Sequence, residues 1–194
     1  MKSVEFVFDV GSPSSYLAYV KLMRLSQDYA FEIVWTPVLL GAVLQAVGSV
    51  APTTFPAKEK WFFGDLAACA DKYDVPFSRN PFFPLNTLAL MRGATALLGT
   101  AQFPIYVNAV FNALWKHDQN LGDPQGMGAV LAVAGLDAVQ FDALISQPEV
   151  KSRLKKTTEE ALERGVFGCP TFFVGERLFF GQDRFEFVEE ALVA

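Results

Sequence analysis

Ser12-Pro13-Ser14-Ser15 stands directly after the apolar run Val4–Asp9 and puts a hydroxyl where a strand turns into a helix. Pro13 suits the first helical position, where the N–H it lacks would have had no partner. A hydroxyl just before it faces unpaired N–H groups and the positive end of the helix dipole, a setting that favours an anion. Two chemistries are open to Ser12: stabilising an anion that a ligand brings, or plain capping of the helix. Covalent attack would need a base within reach. The one histidine, His117, lies in Leu114-Trp115-Lys116-His117-Asp118 at the end of a predicted helix, a place suited to a solvated residue.

Two later stretches also carry chemistry. Gly165-Val166-Phe167-Gly168-Cys169-Pro170-Thr171 leads into a strand-like run and holds one of only two cysteines, the other being Cys69. Cys169 reads either as a thiol near a site or as a small buried apolar residue whose backbone alone matters. Phe180-Gly181-Gln182-Asp183-Arg184-Phe185 opens the last predicted helix. A helix start binds carboxylates and Asp183 supplies the opposite charge for an ammonium; Asp183 also matches an N-cap, with Glu186 completing a capping box. The chain shows no Cys-x-x-Cys pair, no metal-ligand spacing, no P-loop lysine motif and no dinucleotide glycine fingerprint.

The elements that must position these residues follow from periodicity. Val4, Phe6 and Phe8 alternate with an apolar Val7, which predicts a largely buried strand. Tyr16, Tyr19, Val20 and Met23 recur at helical spacing after Pro13, and Phe31–Thr36 is a second strand stopped by Pro37. From Pro37 to about Arg164 the pattern is helical, with starts at Pro56, Asp123-Pro124, Asp137 and Gln147-Pro148, and with Asn86 capping Thr87–Leu98. Gly48–Phe55 and Val75–Pro84 read as loops. Thr171–Val174 and Arg177–Phe180 flank Gly175-Glu176, a two-residue hairpin loop of type II′. The order is βαβ, a long helical stretch, then a β-hairpin and a helix. It predicts a thioredoxin-like domain from residues 1–37 and 165–194, interrupted by a helical insertion over 38–164.

The 194 residues are 52% hydrophobic with 19 Phe, enough for a sizeable core. A net charge of −5 without a basic block argues against nucleic acid as partner. No apolar run reaches the roughly 18–20 residues that span a bilayer, and nothing at Met1-Lys2-Ser3 looks like a signal peptide. The expectation is a cytoplasmic protein with no membrane partner, whose cysteines stay thiols.

Four motifs in this order resemble the DsbA-like branch of the thioredoxin superfamily, and more narrowly the 2-hydroxychromene-2-carboxylate isomerases and their kappa-class glutathione transferase relatives. They are Asp9-Val10-Gly11-Ser12-Pro13-Ser14-Ser15-Tyr16, Phe83-Pro84-Leu85-Asn86-Thr87, Gly165–Thr171 and Phe180–Phe185. The resemblance implies an α/β, thioredoxin-like fold with a large all-helical insertion. Disulfide exchange would need cysteine at positions 12 and 15, where this chain has serine.

What the resemblance implies instead is glutathione as cofactor. Ser12 would face its sulfur and steady the thiolate, whose free pKa is ~8.5. Pro170 would be cis, a state that costs an X-Pro bond only about 0.5–1 kcal/mol, and the Cys169 backbone would pair with the cysteinyl portion. Gln182, Asp183 and Arg184 would hold the γ-glutamyl end and Phe180 would also bind glutathione; Lys58 and Asn86 would meet the second substrate, a small aromatic carboxylate. The implied reaction is glutathione-dependent cis–trans isomerisation between 2-hydroxychromene-2-carboxylate and trans-o-hydroxybenzylidenepyruvate-like compounds in aromatic hydrocarbon catabolism, by a homodimer. The alternatives are a kappa-like transferase that keeps the glutathione adduct as product, and a non-catalytic thioredoxin-fold binding module. Relatives assigned to the isomerase carry a lysine near Gln45 and an asparagine near Ser49; this chain does not, which leaves the substrate open.

Overall fold

The computed structural model describes residues 2–193. Strand β1 (Ser3–Phe8) lies in the middle of a four-stranded sheet of order β2-β1-β3-β4, with β2 (Glu32–Pro37) parallel to it and β3 (Thr171–Val174) antiparallel. β4 (Arg177–Phe180) closes the hairpin with β3. Gly175 takes φ 59° while Glu176 stays out of the left-handed region, the pattern of the expected type II′ turn. The alternation read from sequence holds. Phe6 stacks on Phe8 and on Phe172, each pair at 5.2 Å, on one face of the sheet. Val7 sits on the other face with Val38, Val43 and Phe173.

Helix α1 (Pro13–Asp28) crosses from β1 to β2. Between β2 and β3 come α2 (Leu40–Ala46), α3 (Pro56–Tyr73), α4 (Leu88–Leu97), α5 (Gln102–Trp115), α6 (Pro124–Val133), α7 (Ala138–Ser146) and α8 (Pro148–Glu163). Asp123 and Asp137 cap α6 and α7 as expected, each accepting from a backbone N–H at 3.0 Å. The stretch Gly48–Phe55, read as a loop, contains one short 3₁₀ turn at Pro52–Thr54. These helices do not form a separate core. Phe111 and Trp115 of α5 share one continuous apolar cluster with Phe8, Tyr16 and Phe172. Helix α8, placed by sequence in the insertion, packs on β2, and its Ala161 joins the cluster on the second sheet face.

The last helix departs from expectation. A 3₁₀ turn at Gln182–Arg184 precedes α9 (Phe185–Val193), and no Asp183–Glu186 capping box forms. The Glu186 carboxylate pairs instead with Lys72 on α3 at 2.8 Å. Asn86 acts one residue early: its side-chain oxygen accepts from the Leu88 N–H at 2.9 Å while Thr87 holds the N-cap position. Among the described residues no single helix is long and apolar enough to cross a membrane.

Candidate functional site

The site begins at the turn between β1 and α1. Ser12 is the N-cap of α1 and is buried; its Oγ accepts from the Ser15 N–H at 3.1 Å. The same hydroxyl donates to the carbonyl oxygen of Cys169 at 2.9 Å. Cys169–Pro170 is a cis peptide, as the resemblance implied, and so is Phe83–Pro84. The strand order explains the meeting. β3 lies beside β1, so the turn that feeds β3 arrives next to the turn that leaves β1.

Two buried groups fix this corner from below. The Trp115 indole N–H donates to the Val10 carbonyl at 2.8 Å. The Asp9 carboxylate accepts three hydrogen bonds: from the Gly11 N–H at 2.8 Å, the Leu40 N–H at 2.9 Å and the Thr87 hydroxyl at 3.1 Å. One carboxylate thus ties the β1–α1 turn to the starts of α2 and α4. Burial raises its pKa above the ordinary carboxylate value, against the pull of those three bonds. Gly11 allows the close approach, since a Cβ there would lie 2.4 Å from Cγ2 of Thr87.

Above the corner opens a cavity of about 340 Å³, lined by Ser12, Ser14, Leu44, Phe83, Phe167 and Phe180 among others. Phe167 and Phe180 pack at 4.4 Å, and a Cβ on Gly168 would meet the Phe180 ring at 2.8 Å. The N–H groups of Ser14 and Cys169, both on the cavity, find no backbone or side-chain acceptor among the described residues. Together with the Ser12 hydroxyl they make a donor set suited to an anionic sulfur at a helix N-terminus and to a peptide alongside the cis-proline turn. The residues present therefore fit glutathione. The Cys169 thiol lies in the second cluster with Val7, Val166 and Phe173. Burial, then the charge of Asp9, pushes it well above the ordinary thiol range, against a hydrogen bond from the Asp9 backbone. A thiol held protonated in this way is a weaker nucleophile than a free one.

A second cavity of about 410 Å³ lies across Gly11 and shares Leu40, Leu44 and Phe83 with the first. Its polar lining is Asp9, Gln45, Asn86 and Thr87.

Of the residues singled out from sequence, Ser12, Cys169 and Phe180 meet at the first cavity, and Asn86 lines the second. Pro170 ties the two site turns together by accepting from the Gly181 N–H at 3.0 Å. Gln182, Asp183 and Arg184 follow on the 3₁₀ turn beyond Phe180. Gln182 is buried, its carbonyl accepts from the Tyr73 hydroxyl at 3.1 Å, and its amide points at Cys69 Sγ at 3.9 Å. Asp183 and Arg184 are exposed and 3.8 Å apart. Lys58 is exposed on the first turn of α3, its Nζ 5.0 Å from the Phe55 ring centre, and lines neither cavity. His117 is exposed at the end of α5, away from Ser12. Sequence reasoning assigned no role to Asp9, Ser14, Phe83 or Phe167. The available signal for Asp9 was an acid directly after a largely apolar strand and three residues before Ser12.

Comparison with known proteins agrees with this fold. The family model of the DSBA-like thioredoxin domain matches residues 3–193. A 2-hydroxychromene-2-carboxylate isomerase of Pseudomonas sp. (strain C18) is 35% identical, over 97% of this chain and 89% of the relative. Human glutathione S-transferase kappa 1 is 27% identical, over 98% of this chain and 91% of its own. A solved structure of a selenomethionine 2-hydroxychromene-2-carboxylate isomerase superposes with a TM-score of 0.87 at 33% identity, covering 97% of this chain and 93% of the other.

Proposed function

Because the chain belongs to the DSBA-like thioredoxin domain family, and within it to the 2-hydroxychromene-2-carboxylate isomerase family, we propose that it is a glutathione-dependent cis–trans isomerase of that reaction type. The observation that carries this reading is the buried Ser12 hydroxyl at the start of α1, against the carbonyl of Cys169 beside a cis proline. Serine at positions 12 and 15 leaves no dithiol for disulfide exchange, so the sulfur must come from the ligand.

When bound, glutathione supplies a thiolate that adds reversibly to a conjugated carbon of the second substrate, so that the former double bond can rotate before the thiolate leaves. The chain's own residues do the rest. Ser12 turns its hydroxyl proton toward the sulfur, and the N-terminal N–H groups of α1 add the positive end of the helix dipole, which lowers thiol pKa. The Cys169 backbone holds the peptide through its free N–H and its carbonyl. Asp183, with the N–H groups of the Gln182–Arg184 turn, receives the charged γ-glutamyl end. Phe167, Phe180 and Phe83 line an apolar wall that favours an aromatic ring and excludes water.

The test is a glutathione balance during turnover of a conjugated aromatic enone. Full recovery of glutathione with a new double-bond isomer supports the isomerase. Stoichiometric loss of glutathione into an adduct overturns it in favour of a kappa-like transferase. Absence of glutathione binding removes both and leaves a non-catalytic binding module.

A further inference from the structure

Resting on the glutathione reading, we infer that Ser14 is a second catalytic residue of this site, whose hydroxyl donates to the substrate oxygen left anionic when the glutathione thiolate adds. The two serines divide the charge between them. Ser12 serves the sulfur before addition, and Ser14 serves the oxygen after it.

The start of α1 leaves Ser14 free for this. A helix opens with N–H groups that have no partner inside it. Here Pro13 carries none, the Ser15 N–H goes to Ser12 Oγ at 3.1 Å and the Tyr16 N–H to the Ser12 carbonyl at 3.1 Å. Ser14 keeps its N–H, which the bound sulfur takes in the reading above. Its hydroxyl also bonds to no group among the described residues, although the residue is only 7% exposed and lines the cavity with Ser12. Buried polar groups ordinarily have a partner, so a free hydroxyl on this wall points to a ligand. The other hydroxyls nearby lack that combination. Ser49 is exposed and Thr53 half-buried on the loop before α3, within reach of water, while Ser15 is buried off the cavity wall.

The chemistry needs such a donor. As the thiolate electron pair forms the carbon–sulfur bond, a π pair of the conjugated system moves onto the carbonyl oxygen and an enolate results. Ser14 donates a hydrogen bond to that oxygen and keeps its proton. Expulsion of the thiolate returns the pair to the double bond. In the adduct the oxygen lies three bonds from the carbon that carries sulfur. Ser12 and Ser14 are two residues apart at a helix start, on the order of 5–6 Å between Cα atoms, so their hydroxyls suit the two ends of one conjugated unit. A donor aimed at charge that appears only during reaction raises kcat rather than affinity.

The test uses the intact protein and a stable mimic of the adduct. S-(2-hydroxybenzyl)glutathione carries a phenol oxygen three bonds from the carbon bonded to sulfur, and it needs no turnover. Bound to the unaltered protein, its phenol is expected to ionise at least about one pH unit below the free conjugate, read by phenolate absorbance against the S-benzylglutathione complex. Ser14→Ala is expected to remove most of that lowering, while the thiol pKa of bound glutathione and the affinity for S-benzylglutathione stay unchanged. An unshifted phenol in the unaltered protein, or a shift that survives in Ser14→Ala, overturns the inference. A raised thiol pKa in Ser14→Ala puts the hydroxyl on the sulfur, and loss of S-benzylglutathione binding makes the residue a structural one; either result also overturns it. Failure of the unaltered protein to bind glutathione overturns the glutathione reading itself, and this inference with it.

Discussion

The Ser12 hydroxyl donates to the carbonyl oxygen of Cys169 at 2.9 Å while accepting from the Ser15 N–H. Its single proton is therefore committed within the protein. To stabilise a sulfur anion that proton must swing away, which leaves a buried carbonyl short of a donor. On the proposed reading a peptide ligand would meet this need by presenting its own N–H to Cys169 as it arrives, and thiolate stabilisation and backbone pairing would be coupled through one hydroxyl.

This coupling predicts selectivity among thiols. Glutathione, with an N–H on its cysteinyl residue, should show a lowered thiol pKa when bound, measured by thiolate absorbance against pH. 2-Mercaptoethanol at saturating concentration should keep a pKa near its free value. Equal lowering of both would mean that the helix N-terminus acts alone and that the Cys169 carbonyl plays no part.

Ser12 and Ser15 should separate cleanly under mutation. Ser12→Ala removes the cap of α1, at about 0.5–2 kcal/mol of stability. It also removes a charge-assisted hydrogen bond, worth about 1.5–3 kcal/mol, so the bound thiol pKa should rise by about one to two pH units. Ser15 is fully buried and its Oγ has no hydrogen-bond partner among the described residues. Ser15→Ala therefore deletes an unpaired polar group: stability should hold or rise by up to about 1 kcal/mol, with the thiol titration unchanged. A raised thiol pKa in Ser15→Ala would place that hydroxyl on the sulfur.

Local features of this fold were legible and distant ones were not. Alternation at Val4, Phe6 and Phe8, Pro13 at the start of α1 and the caps at Asp123 and Asp137 depend on neighbours within a few residues. Each is seen where the pattern put it. The Asp183–Glu186 capping box has the right spacing, yet Lys72, 114 residues away, takes Glu186. The same holds for the supports of the site. Trp115 reaches Val10 across 105 residues and Asp9 reaches Leu40 across 31, with no local pattern announcing either bond. Ser12 and Cys169 were paired only because their motifs resembled a family, since periodicity carries no information about which turns meet.

Asp9 makes stability depend on pH in a defined direction. Burial raises its pKa above the ordinary 3.8, so the folded state holds the proton more tightly than the unfolded chain. Its contribution is fully present below the unfolded value and is lost as pH rises through the folded one. Asp9→Asn abolishes the titration and leaves at least one buried donor unpaired, at about 1–3 kcal/mol. Denaturant melts of both proteins between about pH 4 and about pH 8 should show the stability difference largest at the acid end and shrinking upward. A difference that grows with pH would mean that the three hydrogen bonds outweigh desolvation and hold the pKa below its ordinary value.

Gly11 offers the sharpest test of how the site is held. A Cβ there would lie 2.4 Å from Cγ2 of Thr87 and 3.3 Å from Oδ1 of Asp9, so Gly11→Ala must push the β1–α1 turn away from α4. Overpacking of this kind costs about 1–3 kcal/mol, and the turn it displaces carries Ser12. Thr87→Ser removes the obstructing methyl and keeps the hydroxyl that donates to Asp9 at 3.1 Å. The double variant should therefore be more stable than the sum of the single changes by about 1 kcal/mol, and should recover most of the glutathione affinity lost in Gly11→Ala. Strict additivity would show that the turn relaxes elsewhere, and that the contact between Gly11 and Thr87 does not set the position of Ser12.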